Sequence, residues 1–230
     1  MIQTIQAKNR HFSDFGWLKT YWLFSFSEYY DPKNIQFGNL RVFNDDEVQP
    51  QSGFPQHSHS NMEIISIVRS GEITHKDNMG NESVIGPGDI QVMSAGAGIT
   101  HSESNLGKIP AHFYQIWITP KENNIKPKYE QKNFIIIKNS LTSVASGRKI
   151  PNTLPIHSDA TIYLGSLDNE NTIMCSTKSS HGTFIYLTFG KIQLNKNILS
   201  QNDQAKITNE ETLEIKALED SRFILIDTHI

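Results

Sequence analysis

An all-β chain made of two antiparallel barrel units is the fold class this sequence predicts, on three observations. Short runs rich in Val, Ile, Phe, Tyr and Thr recur along the whole chain, cut by Gly, Asn, Asp and Pro; that spacing belongs to a β-sandwich or barrel. Few segments carry a sustained helical apolar period, so helices are not expected to build the core. A polar segment with two prolines, "PKENNIKPKYEQKN", separates two sets of strand-like runs and reads as a linker. The chain is therefore expected to divide into residues 1–125, an N-terminal barrel, and residues 126–230, a C-terminal barrel. No sequence repeat relates the halves, so their likeness is one of architecture.

The elements follow in order. Met62 to Val68 reads as a strand, Arg69 to Gly71 as a turn, and Glu72 to His75 as the return strand. "DNMGN" is a hairpin turn, followed by a strand from Glu82 to Ile85. Gly86 to Asp89, "GPGD", is a tight turn, because proline fixes φ and glycine supplies a positive φ. Ile90 to Met93 is the next strand, "SAGAG" a glycine-rich bend, and the segment after it passes through His101. Phe113 to Ile118, "FYQIWI", is a further buried strand. After the linker, "FIIIK", "ATIYLGSL", "TIMCST", "TFIYLTFG", "KIQLN", "QAKIT", "ETLEIKA" and "RFILIDT" each read as strands.

Composition narrows the function. Hydrophobic residues make up 37% and charged residues 20% of 230, with a formal net charge of -3. Such a balance belongs to a soluble globular protein and supplies no global attraction to nucleic acid or anionic membrane. The one cysteine, Cys175, excludes an intrachain disulfide and a thiolate metal cluster; in "TIMCST" it reads as a buried, inert thiol. The first residues lack a secretory apolar region, and no apolar run approaches the ~20 residues of a membrane span. A cytoplasmic setting is expected.

The chemistry concentrates in two short motifs, His57-Ser58-His59 and His101-Ser102-Glu103. Side chains alternate faces along a strand, so each pair shares a face, and two such pairs on facing strands can converge on one ion. Imidazole and carboxylate together suit Fe(II), Mn, Co, Ni, Cu or Zn, and four ligands leave one or two positions open on an octahedral ion. An isolated HxH is more often a surface or packing pair. The ordered series HxH, strand, "GPGD", strand, "AGAG", HxE is much harder to obtain by chance. Glu63 shares the parity of His57 and His59, so alternation leaves Glu63 and Glu103 both open as the carboxylate. His75 reads as exposed near a turn and His112 as a packing residue. His11, His157, His181 and His229 are isolated, and the C-terminal half carries neither HxH nor HxE, so no metal is expected there. The aromatic stretch Trp17 to Tyr30 reads as core or inter-unit packing, and Asn105 as a turn or supporting residue.

At these motifs the chain resembles the pirin family of the cupin superfamily. The resemblance rests on "GWLKTYWLFSFSEYYDP", "LRVFNDDEV", "HSHSNMEIISIV", "GEITHKDNMGN", "GPGDIQVMSAGAGITHSESN" and "YQIWITP". It is nearest to the short bacterial pirin-like proteins classed as quercetin 2,3-dioxygenases. It is dense over residues 11–130 and continues mainly as length and strand pattern beyond. It implies a bicupin, two antiparallel β-barrels (double-stranded β-helices) packed face to face, with one divalent metal in the N-terminal barrel. It places the ligands on His57, His59, His101 and Glu103, with Glu103 also catalytic and Glu63 left to a supporting role. Fe(II) is the first choice of ion, with Mn, Co, Ni, Cu and Zn as alternatives. The implied activity is an oxidoreductase that cleaves a flavonol such as quercetin with O2, so the partners would be a small aromatic or phenolic substrate and O2. A non-catalytic metal-binding regulator acting through a protein partner, and a non-oxidative cupin enzyme, are the alternatives. Neither direct nucleic-acid binding nor membrane association is expected. Two departures from the family pattern stand out: Ser58 occupies the place of a proline, and Trp22-Leu23 the place of a His-Thr pair.

Overall fold

Near-continuous apolar strands such as Glu63–Ser70, buried at every position up to Val68, need a sheet covered on both faces. The computed structural model, which describes residues 1–178 and 180–230, contains two such sheets. In chain order the N-terminal half holds β1 (Ile2–Ile5), β2 (His11–Asp14), β3 (Leu18–Trp22), β4 (Leu40–Val48), β5 (Ser52–His59), β6 (Glu63–Ser70), β7 (Ile73–Asp77), β8 (Glu82–Ile85), β9 (Asp89–Ser94), β10 (Ile99–Asn105) and β11 (Ala111–Ile118). There follow β12 (Lys128–Asn133), β13 (Ser140–Ser146), β14 (Leu154–Pro155), β15 (Ala160–Leu167), β16 (Thr172–Ser176), β17 (His181–Phe189), β18 (Lys191–Leu194), β19 (Asn197–Ser200), β20 (Gln204–Thr208), β21 (Thr212–Ala217) and β22 (Ser221–His229). Among the described residues the helical content is one 3-10 turn at Ala7–Asn9, and no helix is long and apolar enough to cross a membrane.

Each half pairs a seven-stranded sheet with a four-stranded one. The N-terminal sheets run β12-β9-β6-β11-β4-β3-β2 and β5-β10-β7-β8. The C-terminal sheets run β1-β20-β17-β22-β15-β13-β14 and β16-β21-β18-β19. The two orders correspond strand for strand. The chain is thus a bicupin in which each expected barrel is a pair of facing sheets, without closure by continuous pairing. The halves are stitched by exchange: β1 pairs with β20 of the C-terminal sheet, and β12 with β9 of the N-terminal sheet.

The outer faces of the seven-stranded sheets pack on one another. Phe43, Ile65, Tyr114 and Ile116 meet Phe184, Tyr186, Ile224 and Ile226 in one buried cluster. Phe43 lies 5.6 Å from Phe184 and 5.0 Å from Tyr186 between ring centroids. Burying each such side chain contributes about 1.5–3 kcal/mol. Alternation then turns Ile64, Ser66 and Val68 of β6 into the N-terminal unit and Ile65 and Ile67 into the interface.

Several local expectations change. Arg69 to Gly71 is a turn, but β7 is not the return strand of β6; it pairs with β8 and β10 in the opposite sheet. A turn signal is local and does not distinguish a hairpin from a crossing between sheets. The expected linker contains β12. "FIIIK" lies outside any strand and ends in a turn at Lys138, with Ile135 and Ile137 exposed. The "GPGD" turn forms as expected: the Asp89 N–H donates to the Gly86 carbonyl at 3.0 Å, and Gly88 sits at φ 90°. In the glycine-rich bend, a Cβ on Gly96 would lie 2.1 Å from the Ile125 carbonyl oxygen, so the close approach of these two segments needs glycine.

Candidate metal centre

Strands β5 and β10 lie side by side, antiparallel, with His101 opposite His57 and Ile99 opposite His59. A bulge between His101 and Glu103 shifts the register and sets Glu103 opposite Phe54. The His57, His59 and His101 rings converge, with centroids 4.8 Å (57 to 59), 4.5 Å (57 to 101) and 5.1 Å (59 to 101) apart. One ring nitrogen from each lies within 4.8 Å of the others. A second group of the same compactness joins His101 to His75 and Glu103. His101 is the member common to both. His57 and His59 stand half-buried at the mouth of the unit, and His101 and Glu103 are buried behind them.

Hydrogen bonds settle which nitrogen carries a proton. Nδ1 of His57 lies 2.8 Å from the Pro55 carbonyl oxygen, which can only accept, so Nδ1 donates and Nε2 is left bare. Nε2 of His75 donates to Asp77 at 3.0 Å, which leaves its Nδ1 to accept from His101 Nδ1 at 3.4 Å. His101 Nε2 is then a bare lone pair, buried without a partner. Such a chain from carboxylate through imidazole fixes the ligand tautomer. Burial, reinforced by the neighbouring imidazoles, lowers the pKa of His59 to about 4 and of His101 to about 3; burial also lowers that of His75. Neutral imidazoles are the metal-binding form.

Glu103 accepts from Gln115 Nε2 at 2.7 Å and from Ser66 Oγ at 3.4 Å. Burial pushes its carboxyl up to about 7, the result expected for an acid held away from water with no cation beside it. A divalent ion would restore the charged form. An orphaned imidazole nitrogen, neutral rings and a buried carboxylate therefore fit a divalent metal, and the donor set is of the nitrogen and oxygen type that suits first-row ions.

Further residues frame the group, and the sequence reading had not singled them out. Cross-strand register lines up Asn44, Gln115, Ser66 and Gln91 in one row across the inner face of β4, β11, β6 and β9. Asp46, one step deeper, is buried, and its carboxyl is pushed up to about 8, chiefly by burial. The available signal was a lone polar residue at inward parity in β6 and β11, Ser66 and Gln115, and the inward pair Asn44 and Asp46 in β4. At the mouth, Trp117 packs edge-on to His59 at 4.8 Å and to Phe26 at 5.3 Å, and Phe26 edge-on to Trp22 at 5.5 Å.

One expectation is corrected, and the two candidate carboxylates fall on different faces. His75 is not exposed near a turn; it is 0% exposed within β7. Its spacing from Asp77, i and i+2, is the same signal as HxH and HxE. Glu63 faces the interface instead of the histidine group: Ser94 Oγ donates to it at 2.7 Å, and its other oxygen is buried without a partner. The parity shared with His57 and His59 is lost because the chain leaves β5 through a bend, where Asn61 has φ 51°. His112 donates to Asp45 at 2.6 Å, outside the group. Asn105 holds a turn, through its amide to the Val48 and Ile109 carbonyls.

Residues 5–118 match the Pirin family, and residues 143–228 match the quercetinase C-terminal cupin domain. A pirin-like protein of Caulobacter vibrioides is 41% identical over 218 residues, 94% of each chain. The chain belongs to the pirin family. A quercetin 2,3-dioxygenase of Escherichia coli is 35% identical, over 99% of this chain and 98% of that protein. The crystal structure of the bacterial pirin YhhW from Escherichia coli in complex with nickel(II) superposes with a TM-score of 0.96 at 35% identity, covering 100% of this chain and 99% of that one.

Both departures from the pirin pattern have a structural counterpart. Ser58 lies opposite Thr100 in the ladder, and their hydroxyls are 2.7 Å apart, a cross-strand tie that a proline does not offer. Trp22 is buried with His11 stacked on it at 5.2 Å, and Leu23 joins the inter-unit core. The aromatic stretch thus divides between Tyr21, Leu23 and Phe24 in the interface and Trp22 and Phe26 near the candidate centre.

Proposed function

We propose that this pirin is a metal-dependent dioxygenase that cleaves a flavonol such as quercetin with O2, at a mononuclear centre held by His57, His59, His101 and Glu103. The observation that carries the reading is the convergence of three imidazoles on the mouth of the unit, one of them, His101, with a bare, buried Nε2 and grouped as well with the Glu103 carboxylate. The dioxygenase name of the Escherichia coli relative supports it. The ion, with Fe(II) as first choice, would supply Lewis acidity toward a substrate oxygen and redox chemistry toward O2.

The chain supplies the rest. His57 and His101 hold their bare nitrogens through fixed tautomers, so little reorganisation is needed on loading. In this reading Glu103 accepts the proton that a flavonol hydroxyl gives up, supported by Gln115 and Ser66, each of which donates to one of its oxygens. Trp117 and Phe26 offer flat apolar surface at the mouth against which a planar ring can lie and exclude water. The test is anaerobic purification, loading with Fe(II), Mn, Co, Ni, Cu or Zn in turn, and an oxygen electrode with quercetin and a panel of phenols. Flavonol loss matched by oxygen uptake with at least one redox-active ion is the expected result. No uptake with any ion and any phenol would hand the site to a non-catalytic, regulatory role through a protein partner.

A further inference from the structure

A second cavity lies between the two seven-stranded sheets, on the face of the N-terminal sheet away from the histidines. Ile67 and Tyr114 line it, whereas their neighbours Ser66 and Gln115 turn the other way and bind Glu103. Its volume is about 670 Å³, within the roughly 300–1,000 Å³ of small-ligand sites. The walls are mainly apolar, and no Asp or Glu lines them.

The strands give the cavity a direction. On β6, Ile67 shares a face with Arg69, two residues nearer the strand end. On β22, Ile224 shares a face with Arg222, two residues nearer the strand start. Ile67 and Ile224 are buried and both arginines are exposed, so an apolar floor leads to a basic rim. Thr188 ties the rim together: its carbonyl accepts from Arg69 at 3.0 Å, and its hydroxyl donates to the Arg222 carbonyl at 2.9 Å. Arg69 otherwise donates to the Tyr114 hydroxyl at 3.2 Å, a neutral partner. Among the described residues neither arginine has a carboxylate within 4.0 Å. Lys138 adds a third positive charge, shared with Asp168 at 3.2 Å on the surface.

A guanidinium without a carboxylate partner, at the mouth of an apolar cavity, is suited to a carboxylate that carries an apolar body. We propose that the cavity binds an amphipathic monocarboxylate. Its hydrocarbon part lies against Ile67, Leu164 and Ile224, and its carboxylate sits at the rim with Arg69 and Arg222. The site is separate from the metal group and does not depend on the dioxygenase reading.

Calorimetric titration of the full chain with octanoate and with 1-octanol tests this. Octanoate is expected to saturate at one per chain, to bind at least about tenfold tighter than 1-octanol, and to weaken in high salt, the scale of a charge-assisted contact. Arg222→Gln, at an exposed position, should weaken octanoate by about tenfold, and Leu164→Trp should block it by filling the floor. If Leu164→Trp does not fold, Arg222→Gln and the salt series decide alone. Metal-free and metal-loaded protein should bind alike. Absence of saturable binding overturns the proposal, as does wild-type affinity in Arg222→Gln. Octanoate binding that disappears in His101→Ala would also overturn it, because the carboxylate would then be sitting on the metal.

Discussion

The two cupin units share one strand order and fill it with opposite chemistry. Inside the C-terminal unit, Ile185, Leu187, Ile192, Leu194, Leu213, Ile215 and Leu225 form an aliphatic cluster. Inside the N-terminal unit, the strands corresponding to β17, β22 and β20 each carry one inward polar residue, Ser66, Gln115 and Gln91. Buried polar atoms without partners collect there, on Thr20, Asn44, Asp46, Gln91 and His101. Each such atom costs about 1–3 kcal/mol, so this interior sacrifices stability that its counterpart keeps. The mouths differ in the same sense. At the C-terminal one, where β17 begins and β22 ends, Arg148 bonds Asp159 at 2.8 Å and Asp227 at 2.5 Å, and His181 bonds Asp227 at 2.7 Å. That half carries its own cation, as a guanidinium. The N-terminal mouth presents three imidazoles and a carboxyl group with no Lys or Arg among the described residues of the group, and so has room for a mobile cation.

The sharpest way to break this contrast is at the imidazoles. His101→Ala should lower Ni(II) or Fe(II) affinity by more than the roughly 10–100-fold that a change beside the ligands costs, while His181→Ala leaves metal content unchanged. Equal metal loss in both would erase the difference between the mouths. Metal-loaded Glu103→Gln should slow flavonol turnover by roughly a hundredfold or more. Glu63→Gln should act on thermal stability and leave metal content intact, since Glu63 bonds Ser94 at the interface.

The opposite perturbation belongs in the aliphatic unit. Ile215 is 0% exposed, and Ile215→Ala should cost about 2–5 kcal/mol in denaturant unfolding with metal stoichiometry retained. Loss of metal there would mean that the units do not divide binding and stability as described.

Next in size is the support behind His101. His75→Phe and Asp77→Asn should each weaken metal binding by about 10–100-fold through loss of the fixed tautomer, with the far-ultraviolet dichroism unchanged. Retained affinity in both would reduce the Asp77-His75-His101 chain to packing. The smallest effect is a pH dependence. Asp46 titrates near 8 in the fold and near 3.8 when unfolded. Its burial therefore costs nothing below the lower value and destabilises the fold progressively as pH rises from there to about 8. Metal-free Asp46→Asn should then gain Tm relative to wild type at pH 8 and gain less at pH 5. A pH-independent difference would show that Asp46 is already charged in the fold.

Much of this was legible before any coordinates. Strand runs, turn chemistry and alternation are properties of a few consecutive residues, so the all-β class, the "GPGD" turn and the shared face of His57 and His59 follow from local rules. The HxE motif also placed Glu103 on the face of His101, because the two lie within one strand. Parity stops at the end of a strand, however. The bend through Asn61 turned Glu63 away from the histidines, and only the fold decided which of the two carboxylates lies beside His101. The crossing at Gly71, the burial of His75 and the row Asn44-Gln115-Ser66-Gln91 depend on which strands become neighbours and in what register. Those pairings join residues tens of positions apart, and their energy comes from packing two covered sheets together, a quantity that no window of sequence contains. The same holds for the basic-rimmed cavity, whose walls come from both halves of the chain and exist only where the two sheets meet.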